Sequence, residues 1–69
     1  MRILVIGGNG QVGTELRRAL KPLGELIVTT RSGESLDGQA SLPCDLAIPG
    51  SAHNLIDGLQ PDIVVNATA

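Results

Sequence analysis

Four apolar residues in a row, Ile3-Leu4-Val5-Ile6, run directly into Gly7, Gly8, Gly10 and Gly13. A run that is apolar at every position leaves no face for solvent, so it predicts a strand buried on both sides, as in a parallel sheet. From Gln11 the spacing changes: Val12, Leu16, Leu20 and Leu23 recur at helical intervals, while Arg17, Arg18 and Lys21 fall elsewhere. This predicts an amphipathic helix whose last turns carry cations, where the helix dipole favours them. Pro22 should end it, with Gly24 beyond.

Leu26-Ile27-Val28-Thr29-Thr30 is β-branched and predicts a second strand. Arg31 to Gln39 is polar and turn-rich and reads as loop. Leu42-Pro43-Cys44-Asp45 could form a short third strand. Its proline cannot donate to a ladder, which confines it to a sheet edge. Ala52, Leu55, Ile56 and Leu59 fit a second helix, opened either by Pro49 as first helical residue or by Ser51 as N-cap. Pro61 stops it, and Asp62-Ile63-Val64-Val65-Asn66 reads as a further strand. Such alternation predicts an α/β fold: the N-terminal half of a doubly wound Rossmann sheet, strand order 3-2-1-4, helices on both faces.

The glycines make chemical sense at the first strand-to-helix turn. The start of a helix presents unpaired N–H groups and the positive end of its dipole. A diphosphate can approach only where no Cβ intervenes, and glycine also reaches positive φ cheaply. Gly7, Gly10 and Gly13 give G-x-x-G-x-x-G, and Gly8, Gly10 and Gly13 give G-x-G-x-x-G. A glycine pattern alone is equally a plain tight turn. Here a strand precedes it, a helix follows, and a second strand comes about twenty residues on, as dinucleotide binding requires. Where an acid would hold the ribose 2′-hydroxyl of NAD, this chain has Thr29-Thr30-Arg31-Ser32. A guanidinium can grip a 2′-phosphate in bidentate fashion, so the expected cofactor is NADPH, with NADH as the alternative.

Composition adds mainly exclusions. With 69 residues the chain has room for one small unit, and its 42% hydrophobic content fits a globular protein. A net charge of −2 gives no electrostatic case for nucleic acid or an anionic membrane. A single cysteine rules out an internal disulfide and fits a cytoplasmic setting. One histidine makes no metal site. No apolar run approaches the roughly twenty residues of a membrane span.

"GGNGQVG" followed by "ELRRAL", then "CDL" and "QPDIVVNATA", resembles the extended short-chain dehydrogenases/reductases, and among them the 4-keto reductases of dTDP-sugars. The resemblance implies an oxidoreductase whose cofactor half has this sheet and whose smaller C-terminal part holds the nucleotide sugar. Carried over by position, Gly7, Gly10, Gln11, Val12 and Gly13 would line the pyrophosphate. Thr30 and Arg31 would meet the adenosine ribose, and Asp45 and Leu46 the adenine. Ala67, Thr68 and Ala69 would pass beneath the adenosine side and the phosphates. Members often carry an acid where Thr30 stands, and often begin the second helix Asp-Pro where this chain has Ile48-Pro49. The family's catalytic Tyr-x-x-x-Lys motif is missing, because the chain contains no tyrosine. The expectation is therefore that residues 1–69 are an incomplete NAD(P)-binding domain, inactive alone, with catalytic and substrate-binding parts elsewhere.

The partner implied is a small-molecule nucleotide sugar; a homo-oligomer is compatible. Two other readings stay open: a non-catalytic NADP-binding regulatory subunit of the same fold, and an NAD-dependent sugar-nucleotide epimerase. His53, Asp57, Asp62 and the Arg17-Arg18-Lys21 group read as solvated surface. Cys44 reads as a small buried or edge residue, and Asn66 as bonded within its own turn or facing the cofactor cleft.

Overall fold

The computed structural model describes residues 1–8, 10–33 and 41–68. The elements follow the order β1 (Arg2–Ile6), α1 (Gln11–Leu20), a 3-10 turn (Lys21–Leu23), β2 (Glu25–Thr30), β3 (Leu42–Pro43), α2 (Ser51–Leu59) and β4 (Ile63–Asn66). All strand pairs are parallel, and the four strands lie in the order β3-β2-β1-β4. This is the half Rossmann sheet expected from the alternation of elements.

β1 is central because it has no polar face. Ile3, Leu4 and Val5 are fully buried and Ile6 nearly so. Leu4 and Ile6 point to one face, where Ala52, Leu55, Ile56 and Leu59 of α2 pack with Ile27 and Cys44. These are the four α2 positions picked out by their helical spacing. α1 contacts β1 and β2. The β1-to-β2 and β3-to-β4 connections cross the sheet in opposite senses, so crossovers of one hand place α1 and α2 on opposite faces.

A polar clasp fixes the start of β1 against β4. The Arg2 amide donates to Asp62 Oδ2 at 2.7 Å, and the Asp62 amide donates to the Arg2 carbonyl at 2.8 Å. The Arg2 guanidinium also pairs with Glu25 at 2.9 Å and donates to the Leu59 carbonyl. Asp62 is thus exposed, as expected, and also anchors the strand end.

Three further differences are informative. The α1 stripe is only half used: Leu16 and Leu20 are half-buried, but Val12 is 62% exposed and Leu23 60% exposed. Val12 lies in the first turn, past the last buried residue of β1. Leu23 follows the helix in the 3-10 turn, where the 100° period no longer holds. β3 is shorter than Leu42-to-Asp45, covering only Leu42–Pro43, and it lies at the sheet edge as its proline demands. The N-cap of α2 is neither of the two expected candidates. Gly50 takes it at φ +81°, and its carbonyl accepts from Asn54 N at 2.9 Å. Only glycine reaches that left-handed conformation without strain, so the cap follows from backbone freedom rather than from a side-chain oxygen.

On the outer side of β4, Ile63 and Val64 are each 42% exposed. Among the described residues no helix is long and apolar enough to cross a membrane.

Candidate functional site

The carboxyl ends of β1, β2 and β4 converge on the glycine turn. Gly7 leaves β1 at φ +82°, and a Cβ built there would lie 2.6 Å from Thr68 Cγ2. The turn is held to β2 from below: Gly8 N donates to the Thr29 carbonyl at 2.9 Å and Gly7 N reaches Thr29 Oγ1 at 3.4 Å. Thr29 is fully buried, and its hydroxyl also donates to the Val5 carbonyl at 3.3 Å. A polar residue is stable here because the turn uses both its donor and its acceptor.

The glycines differ in what they avoid. A Cβ on Gly13 would meet the Gly7 carbonyl oxygen at 2.5 Å and the Gly8 backbone at 2.8 Å, so Gly13 is required by helix-to-turn packing. Gly10 caps α1 at φ −89°, a conformation open to any residue, and a Cβ there would meet nothing within 4 Å among the described residues. Neither backbone strain nor protein packing asks for glycine at that position. Gln11 and Val12 follow in the exposed first turn of α1, which has no side-chain cap.

Beside the turn lies a groove of about 390 Å³. Gly7 and Thr68 form one side, and Arg31 with the segment Cys44 to Ala47 the other. Asp45 lines the groove with a carboxylate engaged on both oxygens. Its Oδ1 accepts from Ala47 N at 3.0 Å, and its Oδ2 lies 3.3 Å from Arg31 Nε. The Ala47 amide is the main reason its pKa lies below the ordinary aspartate value; partial burial opposes it, and the Arg31 cation lowers it further. Asp45 is therefore an anion at neutral pH.

Of the residues singled out in the sequence, Gly7, Arg31, Asp45, Leu46 and Thr68 line this groove. Gly10, Gln11, Val12 and Gly13 stand beside it, at the start of α1. Thr30 is fully buried beneath it, and its hydroxyl shares a hydrogen bond with Ser41 Oγ at 3.2 Å. Ala67 is half-buried and bonds through its amide to the Ile6 carbonyl at 2.8 Å. Ala69 lies outside the described residues. Asn66 bonds within its own turn, its Oδ1 accepting from the Thr68 amide and hydroxyl.

The structure adds contacts at four further residues, of which the sequence reading passed over only Ala47. Cys44, buried under the groove, accepts from Ser51 Oγ at 3.7 Å. Ala47 enters through the turn that Asp45 closes, a link that only an Asp-x-x spacing hints at. Arg17 is half-buried with its Nε 3.1 Å from the Gly8 carbonyl, which corrects its reading as a solvated cation. His53 is exposed and pairs with Asp57 one helical turn on, at 3.2 Å.

A family model described as the RmlD substrate binding domain matches residues 1–69. The chain is 41% identical over 70 residues to a protein of Escherichia coli strain K12 named dTDP-4-dehydrorhamnose reductase. It is 39% identical over 69 residues to proteins of the same name from Burkholderia thailandensis and Salmonella typhimurium. Each match takes in 100% of this chain and 20% or 21% of the relative. The chain thus spans about a fifth of the length of these relatives.

Proposed function

Since the chain belongs to the family described as the RmlD substrate binding domain, we propose that it supplies the dinucleotide site of an NADPH-dependent reductase acting on the 4-keto group of a dTDP-sugar, dTDP-4-dehydrorhamnose to dTDP-L-rhamnose. The observation that carries the cofactor half of this reading is Gly10. It is a glycine that neither conformation nor packing among the described residues requires, at a helix start with no side-chain cap. The relatives named dTDP-4-dehydrorhamnose reductase support the substrate half.

In this reading the amides around Gly10, Gln11 and Val12 hold the diphosphate, with Gly7 and Gly13 keeping the turn tight. Arg31 meets the 2′-phosphate at the ribose, and Thr30 orders the strand end beneath it. Asp45 accepts from the adenine amino group while Leu46 covers the ring. Ala67 and Thr68 close the floor at the end of β4. When bound, the nicotinamide cofactor supplies a hydride to the carbonyl carbon. The chain has no tyrosine, so the proton donor that the resembled family places in Tyr-x-x-x-Lys lies outside these 69 residues. The chain's own task is to bind and orient.

The test is a titration of the full-length protein with NADPH and NADH, followed by turnover of the 4-keto sugar nucleotide. NADPH binding in the micromolar range with turnover supports the whole reading. Binding without turnover favours the regulatory-subunit reading, and absence of binding removes the proposal.

A further inference from the structure

The amides of a phosphate loop attract an anion, but its carbonyl oxygens repel one. A loop with flexible glycines can present either, so something must hold the oxygens away. Here α1 takes up two of them. Arg17 Nε donates to the Gly8 carbonyl at 3.1 Å. The Thr14 amide and hydroxyl both donate to the Gly10 carbonyl at 2.9 Å. Arg17 Nη2 then reaches Thr14 Oγ1 at 3.4 Å, which orients that hydroxyl's proton toward Gly10. The two carbonyls are linked through one guanidinium and one hydroxyl, both on the inner side of α1.

We propose that Arg17, acting through Thr14, is a positioning residue for the diphosphate site: it turns the Gly8 and Gly10 carbonyls onto the helix and leaves the loop amides directed at the ligand. The proposal deepens the dinucleotide reading above and rests on it. Arg17 is distinguished from its neighbour by burial, since Arg18 is exposed. A charged donor to a carbonyl is stronger than a neutral one, and a partly buried one is less screened by solvent.

The experiment uses the full-length protein and three probes: NADPH, ADP, which keeps the diphosphate, and adenosine 2′-monophosphate, which lacks it. Arg17→Met is expected to weaken NADPH and ADP binding about tenfold, a loss typical of a charged hydrogen bond. Binding of the 2′-monophosphate should stay within about twofold of wild type, because Arg31 and Asp45 are untouched. Arg17→Lys keeps the charge and one donor and should recover part of the loss. Thr14→Val should weaken the same two ligands about threefold, and Arg18→Met should change none. A purely structural Arg17 would weaken all three probes alike and lower the melting temperature in proportion; that result, or unchanged ADP binding in Arg17→Met, overturns the proposal. Should Arg17→Met not fold, Arg17→Lys and Thr14→Val carry the comparison alone. If the wild-type protein binds none of the probes, the failure belongs to the dinucleotide reading instead.

Discussion

Arg31 and Asp45 are paired on one side of the groove, Nε to Oδ2 at 3.3 Å, so the cation proposed to meet a 2′-phosphate already has an anionic partner. The Arg31 side chain is 78% exposed, which leaves it free to swing between the carboxylate and a ligand. An exposed pair of this kind is screened by solvent and holds less tightly than a bidentate grip on phosphate. Arg31→Ala is therefore expected to raise the Michaelis constant for NADPH by roughly tenfold or more and that for NADH by less than about threefold. Steady-state kinetics with both cofactors check this, and equal changes would show that Arg31 reads no phosphate.

Asp45 carries a pH dependence whose sign is set by its lowered pKa. A carboxyl more acidic in the folded state than in the unfolded chain stabilises the fold above its ordinary value. That contribution fades as pH falls through the depressed folded value. Carboxyl carbon resonances followed by NMR should show Asp45 titrating below an aspartate in the denatured chain. Arg31→Ala should move it up only partway, because the Ala47 amide is the larger cause and remains. Full return to the peptide value in that variant would assign the shift to Arg31 instead.

The glycine turn predicts two opposite outcomes from the same substitution. Gly13→Ala places a methyl 2.5 Å from the Gly7 carbonyl oxygen. The overlap should cost about 1–3 kcal/mol, exceeding the roughly 1 kcal/mol that alanine gains inside a helix. Gly10→Ala meets no atom of the described residues within 4 Å and should leave the melting temperature almost unchanged. It should nonetheless weaken NADPH binding by about tenfold or more, through the ligand its methyl would crowd. Thermal melts and dinucleotide titrations of both variants separate the two roles; undiminished binding in Gly10→Ala would remove the phosphate from that turn.

Gly50 offers a test of local backbone chemistry away from the groove. At φ +81° it caps α2, and a side chain would have room but not the conformation. Gly50→Ala should destabilise the protein by about 1–2 kcal/mol, read as a lower denaturation midpoint without altered ligand binding.

Much of the fold was legible because the chain separates its patterns cleanly. Ile3 to Ile6 can only be a strand covered on both faces, and Ala52, Leu55, Ile56 and Leu59 can only be one side of a helix; both are borne out. The strand order follows once the strands are parallel and Pro43 must be at an edge. What was hidden depends on distant backbone. Arg17 looks like any cation of a helical surface until the Gly8 carbonyl comes within reach. Asp62 is sixty positions from Arg2, and nothing local marks it as that strand's partner. Gly50 took the cap expected of Ser51, and Ser51 the first helical position expected of Pro49, because the left-handed conformation of Gly50 depends on the turn entering it, which residue types leave open. Leu23 shows the limit of periodicity, since a stripe extended past the true helix end predicts burial that the 3-10 turn does not deliver.

The clasp between Arg2 and Asp62 lies at the opposite end of the sheet from the glycine turn, yet it governs how high β4 rides. With Asp62 hooked to Arg2, the ladder continues Ile3 to Ile63 and on to Ile6 beside Asn66, and Thr68 arrives level with Gly7. Sliding β4 by a single position would shift that threonine by about 3.3 Å and reverse which way every β4 side chain points. Two hydrogen bonds at the far end of the sheet thus set the alignment of Thr68 beside Gly7, much as the lowest rung of a ladder decides where the highest one reaches the wall.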